Sequence, residues 1–190
     1  MRAQTDALTG LLNHGALTDS LERTTARRIG FGLLMLDLDN FKDYNDRLGH
    51  QAGDALLRRL AEILRASCRD SDEIYRYGGD EFAILLPHTP GAGALAVAEK
   101  VRRAVREATT GRRWGVALTC SIGVAVFPAD GADAPALLLA ADRALYVAKR
   151  NGRDGVATAA DGLSLAGELL PPPPTPVDEP AFDTESSPAA

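Results

Sequence analysis

The sequence predicts an α+β fold in which helices cover a mainly antiparallel or mixed sheet, and three observations carry that expectation. Segments with apolar residues at helical spacing interleave with continuous apolar runs of strand length. Two such runs in the middle of the chain are separated by little more than a Gly-Gly pair, which makes them a hairpin and argues against an all-parallel, doubly wound sheet. The 190 residues, 45% hydrophobic and 25% charged, suffice for one well-cored domain and an appendage.

Taken in order, residues 15–28 have the spacing of a moderately amphipathic helix. Phe31 to Asp37 (FGLLMLD) is an unbroken apolar run ending in an acid, the pattern of a buried strand. A short helix follows around Phe41 to Leu48, broken at Gly49. A longer one covers 51–67, with Leu56, Leu60, Ile63 and Leu64 making one apolar face. Glu73 to Tyr77 and Glu81 to Leu86 are the hairpin strands, joined by Gly78-Gly79 and closed by Pro87. A helix over 92–108 places Ala94, Val97, Ala98, Val101 and Val105 on one side. A strand spans Val116 to Phe127, and a last helix runs from Pro135 to Arg150, stopping at Gly152.

No apolar run approaches the roughly 18 residues of a membrane span, and no basic start with a hydrophobic stretch opens the chain. Cys68 and Cys120 sit singly in apolar runs, with neither a disulfide framework nor a Cys/His metal cluster. A soluble cytoplasmic protein is expected, with no membrane contact of its own. The net charge of −5 is unevenly spread. All 21 Lys and Arg lie before residue 157 together with 20 of the 26 acids, whereas the remainder carries six acids, no base and most of the prolines. Residues 1–156 therefore read as the domain, and 157–190 as an acidic, proline-rich, disordered tail with a weak helical turn at Leu163 to Leu170. The domain's near-neutral balance leaves room for a small anionic substrate, and no nucleic-acid partner is expected.

Asp37 and Asp39 stand where the first buried strand runs out, and Asp80-Glu81 follow the hairpin glycines. If the two strands are neighbours, Asp37 and Asp80 face one another at a range that is costly for like charges unless a cation lies between them. Hard oxygen ligands suit Mg²⁺ or Mn²⁺. Acids beside glycine are also ordinary composition for a solvated turn. Acids that end an apolar strand, next to glycines that admit a ligand, recur in sites that activate a hydroxyl with metal and stabilise a phosphoryl group.

RYGGDEF, Arg76 to Phe82, resembles the signature of the GGDEF family, the diguanylate cyclases. DALTGLLN (Asp6 to Asn13), DLDNFKDYNDRLGHQAGDALL (Asp37 to Leu57), SIGVAVFP (Ser121 to Pro128) and ADRALYVAKRNGRDGV (Ala141 to Val156) extend the resemblance over five ordered motifs. It implies a central sheet of about five strands wrapped by helices, like the class III nucleotide cyclase domain and the polymerase palm. It also implies condensation of two GTP, one per subunit of a homodimer, into cyclic di-GMP and two pyrophosphates.

Carried over residue by residue, the resemblance makes Asp37 and Asp80 the carboxylate ligands of Mg²⁺ (or Mn²⁺), with the Leu38 carbonyl beside them. Asp80 becomes the candidate proton acceptor and Glu81 a secondary one. Asn45 and Asp54 would read guanine, and His50 would contact substrate; taken alone, without the resemblance, Asn45 and Asp54 read as helix-cap or surface polar residues. The N–H groups of Asn40, Phe41 and Lys42 open a helix and would face the phosphates, with Lys149 and Arg153 as the triphosphate cations. Basic residues there also complement a helix dipole. Arg69-x-x-Asp72 resembles the family's inhibitory product site, although such a string is also an ordinary local ion pair. Secondary arginines for that site are sought among Arg102, Arg103 and Arg106, while His14 and His88 read as surface residues. Two positions depart from the pattern: His14 stands where the family usually has Arg, and Asn40 where it commonly has a bulkier residue. The other reading is a module that binds GTP or cyclic di-GMP without turnover.

Overall fold

The FGLLMLDL run forms a strand, β2 (Phe31–Leu38), and it lies in the middle of the sheet. In this computed structural model, which describes residues 4–109 and 118–164, β2 pairs antiparallel with β4 (Glu81–Pro87) and with β5 (Cys120–Phe127). The glycine turn joins β4 to its antiparallel partner β3 (Glu73–Gly78). Two short edge strands run parallel to their neighbours: β1 (Leu12–Asn13) beside β3, and β6 (Val156–Thr158) beside β5. The order is β1-β3-β4-β2-β5-β6, six strands where about five were expected. The edge strands are too short to leave any alternation in the sequence. The strand expected from Val116 begins at Cys120, residues 116 and 117 lying outside those described.

A central strand is covered on both faces, which is why its residues are apolar without alternation. Leu34, Leu36 and Leu38 face α3 (His50–Ser67) and α4 (Gly91–Thr109), meeting Leu56, Leu60, Leu64, Ala98, Val101 and Val105. Phe31, Leu33 and Met35 face α1 (His14–Ala26) and α5 (Ala134–Arg150), meeting Leu17, Leu21, Leu137, Ala141 and Leu145. Asp37 continues the second row, so it emerges at the end of the α1/α5 layer. The short helix α2 (Phe41–Leu48) follows β2 and breaks at Gly49, whose φ of 84° with ψ of 158° is open only to glycine at low cost. No helix among the described residues is long and apolar enough to cross a membrane.

Folded structure continues past the expected boundary at residue 156. Ala157 and Ala159 are buried, β6 pairs with β5, and α6 (Ala159–Ser164) packs on α5, its Asp161 accepting bonds from the Thr158 N–H and hydroxyl. Composition marks this stretch as tail because it lacks bases, but main-chain pairing and small buried side chains hold it. Residues 165–190 lie outside those described.

Candidate active site

The sheet register brings the acids together. Asp37 lies directly opposite Glu81 of β4 and Ser121 of β5, and the Leu38 N–H donates to the Asp80 carbonyl at 3.4 Å, tying the glycine turn to the strand end. The turn is shaped by Gly79 at φ 43° and by Arg76, whose Nε and Nη2 donate to the Gly79 carbonyl at 3.1 and 2.8 Å. Arg76 Nη1 also reaches Asp6 at 3.1 Å, and Asp6 accepts from the Thr9 N–H (2.8 Å) and hydroxyl (2.6 Å). The DALT and RYGGD segments, 70 residues apart, thus form one brace behind the site. Burial alone would raise the Asp6 carboxyl, but Thr9 and the Arg76 guanidinium outweigh it and hold Asp6 below the usual range.

At the site itself the carboxyls move the other way. Asp37 is raised by burial and by Asp80 and Asp39, against the opposition of Lys149, whose Nζ lies 2.8 Å from Asp37 Oδ2. Asp80 is raised by burial, with Lys149 and Arg76 opposing. Glu81 is raised by burial and then by Asp37, Asp142 and Asp80. Several acids share one ammonium, an arrangement that favours a further cation. Among the described residues no three or more His, Cys, Asp or Glu side chains converge as a complete ligand set. Asp37, Asp80 and the Leu38 carbonyl could hold part of a Mg²⁺ shell, which ordinarily is completed by substrate phosphates and water.

Sequence reading missed Asp142. It stands on α5 two helical turns before Lys149, and burial pushes its carboxyl up to about 6, with Lys149 opposing. The nearby Tyr77 hydroxyl is raised by burial and then by Asp142 and Glu81, and the His14 ring meets Tyr77 edge-on at 4.5 Å. Its signals in the chain are its place in the ADRALYVAKRNGRDGV motif and its i, i+7 relation to Lys149. Because the folded value lies above the unfolded 3.8, ionised Asp142 costs stability at neutral pH, and that cost disappears as pH falls through 6 toward 4. Asp142→Asn therefore raises stability at pH 7.5 by about 2 to 3 kcal/mol, and thermal melts show the gain vanishing near pH 4.

Across the Gly49 break, α3 packs against the Asn45 side chain at Gly53, the residue before Asp54. Asn45 Oδ1 is buried and has no hydrogen-bond partner, an acceptor waiting for a donor. α3 approaches so closely that a Cβ on Gly53 would lie 1.9 Å from that oxygen. Gly53→Ala displaces the flexible Asn45 amide rather than backbone, so the fold persists, and on the guanine-reading role that the resemblance implies for Asn45 the KM for GTP rises about tenfold, which steady-state kinetics would read. Half-buried Asp54 is the next residue of α3, and exposed His50 opens that helix.

Asn40 precedes α2 with φ 59° and its carbonyl accepts the Tyr44 N–H at 3.1 Å. The N–H groups of Asn40, Phe41 and Lys42 are beyond the reach of any α2 carbonyl. Lys149 points inward to Asp37, and Arg153 is exposed on the loop after α5. Arg150 turns away and lies over the Tyr146 ring at 6.0 Å.

At Arg69-x-x-Asp72 the Arg69 N–H donates to Asp72 Oδ2 at 2.8 Å, and the Asp72 N–H to the Arg69 carbonyl at 3.0 Å, closing a tight turn. A residue absent from the sequence reading stands beside it: Lys100 of α4 donates to the Ser67 carbonyl at 2.8 Å. The Cys68 thiol is pushed up to about 11 by burial and by Asp72, with Lys100 opposing. Of the three arginines among which secondary contacts to this site were sought, Arg102 and Arg106 bind Asp154, and Arg103 Nε donates to the Glu99 carbonyl of its own helix at 3.4 Å.

The chain is similar to known proteins. The family "Diguanylate cyclase, GGDEF domain" matches residues 3–155. The chain is 41% identical over 154 residues to the bifunctional diguanylate cyclase/cyclic di-GMP phosphodiesterase MucR of Pseudomonas aeruginosa, covering 79% of this chain and 22% of that protein. It is 40% identical over 137 residues to diguanylate cyclase A of Treponema denticola, covering 70% and 36%. It thus spans about a fifth to a third of the length of these curated relatives. Among solved structures, the GGDEF domain of DgcB from Caulobacter crescentus in complex with c-di-GMP matches with TM-score 0.76 at 34% identity, covering 84% of this chain and 98% of that one. The active GGEEF domain of a diguanylate cyclase from Vibrio cholerae matches with TM-score 0.73 at 31% identity, covering 78% and 97%. With the family matched over most of its length, and the acids, glycine turn and α5 lysine assembled at one strand end, the chain belongs to the GGDEF domain family of diguanylate cyclases.

Proposed function

We propose that this chain condenses two GTP molecules into cyclic di-GMP, each 3′-hydroxyl attacking the other nucleotide's α-phosphate with loss of pyrophosphate. The observation that carries the reading is the cluster of Asp37, Asp80 and Glu81, raised carboxyls in mutual repulsion at a strand end with Lys149 as their ammonium. Held by Asp37, Asp80 and the Leu38 carbonyl, Mg²⁺ or Mn²⁺ would neutralise phosphoryl charge. The chain's own residues do the rest. Asp80 is the first candidate to take the 3′-hydroxyl proton, with Glu81 as second acceptor, although a carboxylate that holds the cation is a weaker base than a free one. Asn45 and Asp54 select guanine by filling its hydrogen bonds, and His50 contacts the nucleotide. The N–H groups of Asn40, Phe41 and Lys42 hold the terminal phosphates together with Lys149 and Arg153.

One chain supplies half of the reaction, so catalysis needs a homodimer and the rate rises faster than linearly with protein concentration. Product binds back at Arg69 and Asp72, with Lys100 completing the charge, and slows turnover. The acidic tail takes no part in catalysis, and the protein works in the cytoplasm. Incubation with GTP and Mg²⁺ followed by chromatography tests the reading. Cyclic di-GMP should accumulate and then plateau. Binding of GTP without product at any protein concentration would instead establish a non-catalytic module.

A further inference from the structure

The loop between α5 and β6 holds Arg153 at φ 63° and Asp154 at φ 42°, two successive non-glycine residues in the left-handed region. Such residues persist only where surrounding contacts over-determine them. Two sets of contacts do so here. On the main chain, the Asp154 N–H donates to Asp39 Oδ2 at 3.0 Å. Asp39, 2% exposed, is itself fixed by the Thr119 and Ser121 hydroxyls, each donating at 2.7 Å. This explains why Asp39 takes no place beside Asp37 in the acid cluster: both of its oxygens are already bound. On the side chain, Arg102 Nη1 of α4 donates to Asp154 Oδ1 at 2.7 Å and to the Asp154 carbonyl at 3.1 Å, while Arg106 Nη1 donates to Oδ2 at 3.1 Å. Glu99 holds the Arg102 Nε at 3.0 Å. Arg102 is the stronger partner, since its side chain is 17% exposed against 54% for Arg106, and solvent screens the exposed pair.

We infer that Arg102, seconded by Arg106, is a positioning residue of the nucleotide site: through Asp154 it clamps the loop in the left-handed conformation that aims Arg153 at the triphosphate. The inference rests on the reading of Arg153 as a phosphate ligand. It places a functional role on α4, outside the acid cluster and on a helix that touches no reacting atom. The clamp joins three distant parts of the chain, since Asp39 follows the metal strand, Asp154 follows α5 and Arg102 lies on α4. Removing the guanidinium leaves partly buried Asp154 with only the exposed Arg106 as countercharge and loosens the loop, so the nucleotide loses an oriented cation while Asp37 and Asp80 stay in place.

The test uses the full chain as wild type, Arg102→Ala and Arg102→Lys. Amide hydrogen exchange without nucleotide reads the loop, and GTP binding with steady-state kinetics reads the consequence. Arg102→Ala should speed exchange at residues 153–155 while leaving Leu145 of α5 unchanged. It should weaken GTP binding and raise KM about tenfold, the scale of one misplaced charge-assisted phosphate contact, with kcat within about twofold. Arg102→Lys, which keeps the charge but not the fork, should fall between the two and confirms that the fold survives. Faster exchange with unchanged KM would make the clamp purely structural and overturn the inference, as would unchanged exchange. If wild type binds GTP and Arg102→Ala binds it equally, this role alone fails. If wild type binds no GTP, the proposed activity fails and takes this role with it.

Discussion

Asp80→Asn forms no measurable cyclic di-GMP, a loss of at least about a thousandfold, while remaining folded. The amide keeps the shape of the carboxylate, so the turn held by Arg76 and Gly79 survives. It cannot accept the 3′-hydroxyl proton, and it is a poor ligand for a hard cation. The substitution also removes one of the charges that raise the Asp37 and Glu81 carboxyls, so the variant melts no lower than wild type at neutral pH. On the proposed reading, cyclic di-GMP binding, measured by calorimetry, is retained, because the proposed product site at Arg69, Asp72 and Lys100 lies at another turn of the molecule. Surviving turnover would overturn the role of Asp80. Loss of turnover together with product binding would overturn the separation of the two sites.

Gly123→Ala should be the most damaging single-methyl change, destabilising by about 3 kcal/mol. A Cβ there would lie 2.1 Å from the Ala141 carbonyl oxygen, 2.3 Å from the Leu145 nitrogen and 2.9 Å from the Leu145 Cα. These are backbone atoms of α5, and no side-chain rotation relieves the clash; the helix must lift from β5. α5 also carries Lys149, so the Lys149–Asp37 pair is broken in whatever fraction stays folded. Urea denaturation reads the shift in midpoint, and GTP turnover reads the displaced lysine. An unchanged midpoint would mean that α5 is not seated on Gly123. Gly53→Ala is the instructive contrast, because its clash falls on the movable end of Asn45 and costs function rather than fold.

Much of this molecule is legible residue by residue. The apolar run from Phe31, the glycine hairpin and the helical faces all depend on neighbours a few positions away, and each formed within two residues or so of expectation. β1 and β6 were missed because strands this short gain their stability from a partner rather than from their own pattern. The 157–164 segment was misassigned for the same reason. At the site, Asp37, Asp80, Asn45 and Asp54 stand out by motif and position, whereas the burial of Asp142, the place of Lys100 and the pairing of Asp6 with Arg76 leave no trace in the chain.

By itself the sequence determined which residue types stand at strand ends, turns and helix starts, and hence the chemical class of the site, because hydrophobic period and turn chemistry act over a few bonds. The tertiary structure alone decided which charges meet. Lys149 rests on Asp37, Arg102 on Asp154 and Arg76 on Asp6, each pair dozens of residues apart in the chain. The state of a charge depends on how far every surrounding element strips it of water and what counter-charge replaces that water, and both are properties of the packed whole.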